Sequence, residues 1–197
     1  MVSKNLKKLL IPTLMALIIT LANSCFKESK ETPEPVKNES TTITAKDLKV
    51  DSNGLSREQI VLKTVHGNIT FKVYPKKAPN TVTRIIELVN SGFYDGIKFH
   101  RVVPNFVIQA GDPTGTGRNG SGKNLKAEFN DVQHIKGTVA MARTQSPDSA
   151  DSQFYIALTT LPHLDKKYTV FGQVVEGLDA LEKIKKDDVI ISMVFKK

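Results

Sequence analysis

Cysteine occurs once in the 197 residues and tryptophan not at all. A single cysteine excludes an internal disulfide framework and a cysteine-built zinc site. The four histidines, His66, His100, His134 and His163, are far apart, with no HxxH or HExxH spacing, so no metal is expected. Gly115 to Gly122 is rich in glycine but lacks the following Lys-Ser/Thr and the strand-to-helix setting of a phosphate loop. No serine or cysteine is suggested as a nucleophile beside a base, and no cofactor is implied. The net charge is +8, yet no five basic residues run together. The basic residues are scattered as on a solvated surface, so nucleic acid is not expected as a partner. Nor does any apolar run reach the ~20 residues of a membrane-spanning helix. The stretch Leu9 to Ala22 has 14 residues and contains Pro12.

That apolar stretch follows Lys4, Lys7 and Lys8, the layout of a secretory signal peptide over residues 1–24. It ends Leu21-Ala22-Asn23-Ser24-Cys25, which resembles a bacterial lipobox. Ala22 stands where the common pattern has Leu. Cys25 is the expected lipidation site, and the flanking Phe26-Lys27-Glu28-Ser29-Lys30 has no core pattern. Each buried CH₂ of an acyl chain contributes about 0.8 kcal/mol, so two or more chains hold a protein stably on a membrane. Residues 25–57 are rich in Lys, Glu, Thr, Ser and Pro and read as a flexible tether. Within it, Ile43 to Val50 fits an extra strand or a helical turn equally.

From residue 58 to 197 the pattern is regular. Hydrophobic residues make up 40% of the chain, enough for one packed domain. Gln59 to Thr64 and Asn68 to Tyr74 read as two strands joined by a tight turn at His66-Gly67. Ile69, Phe71 and Val73 alternate with polar partners, as in a half-buried strand. Val82, Ile85, Ile86 and Val89 mark one face of a helix, with Asn80 or Thr81 as N-cap and Gly92 as the stop. Six more strands are expected: Phe99 to Val103, Phe106 to Ala110, Gly137 to Ala142, Phe154 to Leu158, Val170 to Val175 and Val189 to Phe195. Leu178, Leu181 and Ile184 suggest a second helix. About eight short strands with turn-rich joints point to a mainly β barrel or sandwich. By alternation, Arg101 and Val103 share one face of their strand. Phe106, Ile108 and Ala110 share a face of the next, with Val107 and Gln109 opposite.

The run Phe99-His100-Arg101-Val102-Val103-Pro104-Asn105-Phe106-Val107-Ile108-Gln109-Ala110-Gly111-Asp112 closely resembles the cyclophilin signature. Further stretches agree in order: Ala78-Pro79-Asn80-Thr81-Val82, Gly92-Phe93-Tyr94-Asp95-Gly96, Met141-Ala142-Arg143, Ser152-Gln153-Phe154-Tyr155-Ile156, and Leu164 through Gly172. Many ordered motifs are far more specific than one short pattern. The resemblance implies a closed eight-stranded antiparallel β-barrel capped by two α-helices. It also implies a peptidyl-prolyl cis/trans isomerase.

On that resemblance, Arg101, Phe106 and Gln109 carry catalysis. Arg101 would donate to the prolyl nitrogen of a twisted amide, Phe106 would floor the proline pocket, and Gln109 would bond the substrate backbone and help hold Arg101. His100, Val107, Ala142, Arg143, Phe154, Tyr155, His163, Leu164 and Tyr168 would contact substrate. Several depart from common family choices: Val107 for Met, Arg143 for Asn, Tyr155 for Phe, and Tyr168 for His. Tyr155 brings a hydroxyl that needs a partner. His163 stands where drug-sensitive members often carry Trp, so strong cyclosporin binding is not expected. Partners would be proline-containing segments of unfolded or exported polypeptides, with a membrane engaged through the lipid anchor in the bacterial cell envelope. Nothing points beyond a monomer. Two other readings remain: a proline-peptide binding or chaperone module with little turnover, and a surface adhesin holding polyanions.

Overall fold

A computed structural model describes residues 42–197. The expected signal peptide, Cys25 and most of the tether lie outside the described residues. Eight strands and two helices follow in chain order: β1 (Gln59–Thr64), β2 (Gly67–Val73), α1 (Pro79–Asn90), β3 (Arg101–Val103), β4 (Val107–Ala110), β5 (Thr138–Met141), β6 (Phe154–Ala157), β7 (Val170–Glu176), α2 (Leu178–Lys183) and β8 (Ser192–Lys196). They form one sheet in the order β3-β4-β6-β5-β7-β2-β1-β8. Every pairing is antiparallel.

The closed barrel is corrected to an open, curled sheet. β3 and β8, the ends of the order, do not pair as strands. The segments before them do meet: Lys98 bridges Val189, and the Phe99 N–H donates to the Asp188 carbonyl at 2.8 Å. β3 has only three residues before the Pro104 turn, and β8 starts beyond the bridge, so the two ladders never overlap.

Strand alternation divides the apolar residues between two clusters. Ile69, Phe71 and Val73 of β2 enter the main core with Tyr94, Phe99, Phe154 and Phe171. Tyr155, Ala157, Val107 and Ala140 form a smaller cluster with Leu161 and Val170. β6 serves both, because successive side chains leave opposite faces. Phe154 and Ile156 enter the main core, while Tyr155 and Ala157 face the other cluster.

α1 buries Val82, Ile85, Ile86 and Val89. Its N-cap is Ala78 rather than Asn80 or Thr81. Pro79 at the first helical position already has a helical φ and needs no N–H partner, so the helix starts earlier than polar side chains alone suggest. The freed N–H groups of Asn80 and Thr81 instead donate to the Glu128 carboxylate at 3.0 and 2.9 Å. Gly92, at φ +70°, sits just past the C-cap Ser91.

The folded region begins before residue 58. Ala45–Asp47 form a 3-10 turn, and the Ala45 N–H donates to the Thr83 hydroxyl at 3.0 Å. Val50 bridges Ser56. Ser56 is fully buried, and its N–H donates to the Val73 carbonyl at 2.8 Å. Ala45 is buried in the main core, with Ile43 and Leu48 packed against it. Backbone and hydroxyl bonds, which hydropathy does not register, add to that apolar anchorage.

Candidate active site

The β3–β4 hairpin sets the first wall. Its register places Arg101 opposite Gln109 and Val103 opposite Val107, so all four share one face. The turn is Pro104-Asn105, with Asn105 at φ 56°, a left-handed conformation that asparagine tolerates. This turn re-aims Phe106. The residue precedes β4, and it packs with Val107 rather than with Ile108 and Ala110 as simple alternation implied. The Arg101 guanidinium carbon lies 5.3 Å from the Phe106 ring centre. Gln109 donates to the Gln153 side-chain oxygen at 2.9 Å, so its own oxygen remains free to accept. Among the described residues it forms no bond with Arg101.

A pocket of about 210 Å³ opens between this wall and the 164–168 segment. Phe106, Val107, Tyr155 and Leu164 give it apolar and aromatic surface, and Arg101 and Gln109 supply polar groups. Ala142, Arg143 and Tyr168 complete it. Nine expected site residues thus converge. A larger cleft of about 500 Å³ continues from Gln109, Ala142 and Arg143 along Arg118, Asn119 and Asp151.

Arg143 serves the wall itself. Its Nε and Nη2 donate to the Lys167 carbonyl at 3.0 and 2.9 Å, and Nη1 donates to the Thr144 and Gln145 carbonyls. Its guanidinium also lies over the Tyr168 ring at 4.8 Å and the Phe129 ring at 5.5 Å. Rigid fork geometry suits this bridging of two loops and two rings.

Three expected contacts do not line the pocket. Phe154 is 1% exposed in the main core, edge-on to Tyr94 at 5.5 Å. It follows the opposite alternation phase from Tyr155. His100 is half-buried with Gly117 against its ring, and among the described residues neither ring nitrogen has a protein partner. Burial holds its pKa below the usual histidine value. His163 is exposed at the rim, its ring stacked on Phe106 with centres 6.0 Å apart.

One feature of the site had no local sequence signal. The Tyr155 hydroxyl lies 2.8 Å from Nε2 of the fully buried His134, whose Nδ1 lies 2.9 Å from the Asp165 carboxylate. The partners stand 21 and 31 residues from His134, too far for any spacing pattern. Burial raises the Tyr155 pKa well above the ordinary tyrosine value, so the phenol stays neutral. Asp165 is held below the usual carboxylate range, first by the His134 backbone N–H and also by the imidazole. Among the described residues no three His, Cys, Asp or Glu are grouped to hold a metal.

A slot with aromatic and aliphatic walls, edged by the Arg101 and Arg143 guanidiniums, can bind an aliphatic ring and polarise an amide beside it. The comparisons agree with that chemistry. The family model described as "Cyclophilin type peptidyl-prolyl cis-trans isomerase/CLD" matches residues 59–194. A peptidyl-prolyl cis-trans isomerase of Helicobacter pylori is 44% identical over 138 residues, 68% of this chain and 84% of that protein. One from Synechococcus elongatus is 40% identical over 137 residues, 68% of this chain and 94% of its own. A cyclophilin-type isomerase of Cryptosporidium parvum, solved in the presence of the dipeptide Ala-Pro, superposes with a TM-score of 0.67 at 28% identity. That match covers 71% of this chain and 99% of the other. Fold, site and sequence converge on one assignment: this chain belongs to the cyclophilin-type peptidyl-prolyl cis-trans isomerases.

Proposed function

We propose that Arg101 supplies the main transition-state stabilisation for rotation about X-Pro bonds. The barrier of about 18–20 kcal/mol reflects the partial double bond of the planar amide. At the transition state the amide is twisted, and the prolyl nitrogen becomes pyramidal and basic. A donor aimed at that nitrogen stabilises the twisted form more than either planar form, and no covalent step is needed. The carrying observation is the Arg101 guanidinium over Phe106 at the edge of the apolar pocket. The proline ring would seat on Phe106, Tyr155 and Leu164. Gln109, its oxygen unspent, would accept from the substrate backbone. The neighbouring cleft would take residues flanking the proline in an extended chain.

The test compares the full chain, in detergent, with its Arg101→Ala variant on a short X-Pro peptide. Acceleration should fall at least tenfold in the variant, about 1.4 kcal/mol of transition-state stabilisation. Equal acceleration by both would remove Arg101 from the mechanism. Tight binding of proline peptides by the wild type without acceleration would favour a binding module instead.

We further propose that Cys25 is acylated, tethering the isomerase to the cell envelope where exported chains fold. The basic start, the short apolar run and the lipobox-like end support this. Expressed in a bacterium, the wild type should take up labelled palmitate and sediment with membranes. Cys25→Ser should abolish both; unchanged labelling would refute the anchor.

A further inference from the structure

His134 is fully buried beneath the proline pocket, yet it does not line it. Its contacts reach both sides of the site. Tyr155, on β6, forms part of the pocket floor, and its hydroxyl lies 2.8 Å from His134 Nε2. Asp165 lies in the segment that carries Leu164 and Tyr168. One of its oxygens accepts the His134 backbone N–H at 2.7 Å and also faces Nδ1 at 2.9 Å. The Leu161 N–H donates to the His134 carbonyl at 2.8 Å, so main chain and side chain both tie this histidine to the wall segment.

The tautomer follows from the partners. Ionised Asp165 can only accept, so Nδ1 carries the proton and donates to it. In a neutral imidazole Nε2 then presents a lone pair, and the Tyr155 O–H donates to it. The chain of bonds runs from floor to wall in one direction: Tyr155 to His134 to Asp165. Ring geometry agrees with the bonding. The His134 and Tyr155 rings are nearly parallel, 14° apart in plane, and Tyr168 stands edge-on to Tyr155 with centres 5.6 Å apart.

We propose that His134 is a positioning residue of the isomerase site: anchored by Asp165, it holds the Tyr155 hydroxyl and so fixes the aromatic floor of the proline pocket relative to the Leu164–Tyr168 wall. The inference rests on the isomerase reading of this pocket. A phenylalanine at 155 would need no such partner. The tyrosine here brings a hydroxyl into a nearly dry site, where an unpaired donor is costly. The histidine and the aspartate meet that need and use it to join two elements. No contact between His134 and substrate is involved.

The test is a double-mutant cycle on the full chain, measuring both peptide Kd by calorimetry, with an Ala-Pro peptide, and turnover. His134→Leu should weaken Kd and raise KM by about tenfold, with kcat changed less, because pocket shape rather than the reacting donor is disturbed. Tyr155→Phe should cost about threefold at most. Once Tyr155 is Phe, adding His134→Leu should cost nothing further in Kd, since no hydroxyl is left to orphan. A ¹⁵N spectrum should show the His134 Nδ1–H tautomer in the wild type, with the Nε2 signal moving in Tyr155→Phe. Melting temperatures separate plain destabilisation, which would lower Tm equally in both backgrounds. If His134→Leu does not fold, His134→Gln enters the same cycle.

Equal losses of Kd in both backgrounds would overturn the proposal, as would an unaltered Kd in His134→Leu. Failure of the isomerase reading looks different. It would appear as wild-type binding without acceleration, and the Kd cycle would still report on the positioning.

Discussion

Arg101, Tyr155 and Gly111 illustrate three demands a single position can carry. In the proposed mechanism Arg101 needs charge and reach, and the Tyr155 hydroxyl, nearly buried, is bonded to His134. Gly111 needs the absence of a side chain. It joins β4 to the loop that starts at Asp112, with φ at +97°, and a Cβ there would lie 2.3 Å from the Ser152 carbonyl oxygen. That oxygen already accepts the Tyr94 hydroxyl at 3.0 Å, and the Ser152 hydroxyl donates to the Gly111 carbonyl at 2.7 Å. Neither backbone can retreat without breaking a buried bond. Gly111→Ala therefore combines positive-φ strain with a steric clash, each costing at least about 1 kcal/mol. Thermal denaturation should show a Tm lowered by several degrees or more. A Tm within one degree of wild type would mean that the β4 exit relaxes freely.

Elements were more legible than their ends. Gln59–Thr64 is a strand with the expected bounds because its apolar run and its turn both lie in local sequence. The first helix was equally plain in its apolar stripe, but its cap was not, since Glu128 reaches it from 48 positions away. The same limit applies within the site. Val107, Gln109 and Arg101 were placed by ladder geometry and motif together. Phe106 escaped alternation because a turn intervenes, and Phe154, expected as a contact from the resemblance, faces the main core instead. Asp165 lies in a stretch that resembles the family, but its pairing with His134, 31 positions away, had no signal in the sequence. The remote cap yields its own prediction. Glu128→Ala leaves two N–H groups of α1 without their acceptor and removes a favourable charge from the positive helix end, costing about 1 kcal/mol. Glu128→Gln retains an acceptor and should cost less. Urea denaturation of both variants gives the order, and equal losses would assign the effect to packing instead.

Across the described residues, burial and hydrogen bonding shift several titratable groups, and the signs of those shifts define a pH window. Burial opposes the charge on Asp112, but donors from Thr114, Thr116, Gly117, Arg118 and Asn119 outweigh it and drive its pKa far down. Its contribution is present above the ordinary value of 3.8 and is lost as pH falls toward the folded-state value. For His100, burial lowers the pKa below its ordinary value of 6.5, and nearby Arg101 acts the same way while Asp112 opposes them. The unfolded chain then binds the proton more tightly, so this contribution is complete above 6.5 and declines as pH drops below it. Tyr94 and Tyr155 are raised by burial above the ordinary 10.0, so the unfolded chain ionises first and stability declines as pH climbs past 10.0. Maximum stability therefore lies between neutrality and about pH 10, with a shallow loss setting in below 6.5. Denaturant midpoints of the full chain measured across this range should trace that plateau. His100→Gln should flatten the slope just below 6.5 while keeping the steeper acid limb that belongs to the carboxylates. If the slope survives in His100→Gln, the proton is taken up elsewhere, and the unpartnered imidazole beside Arg101 is not what ties stability to mild acid.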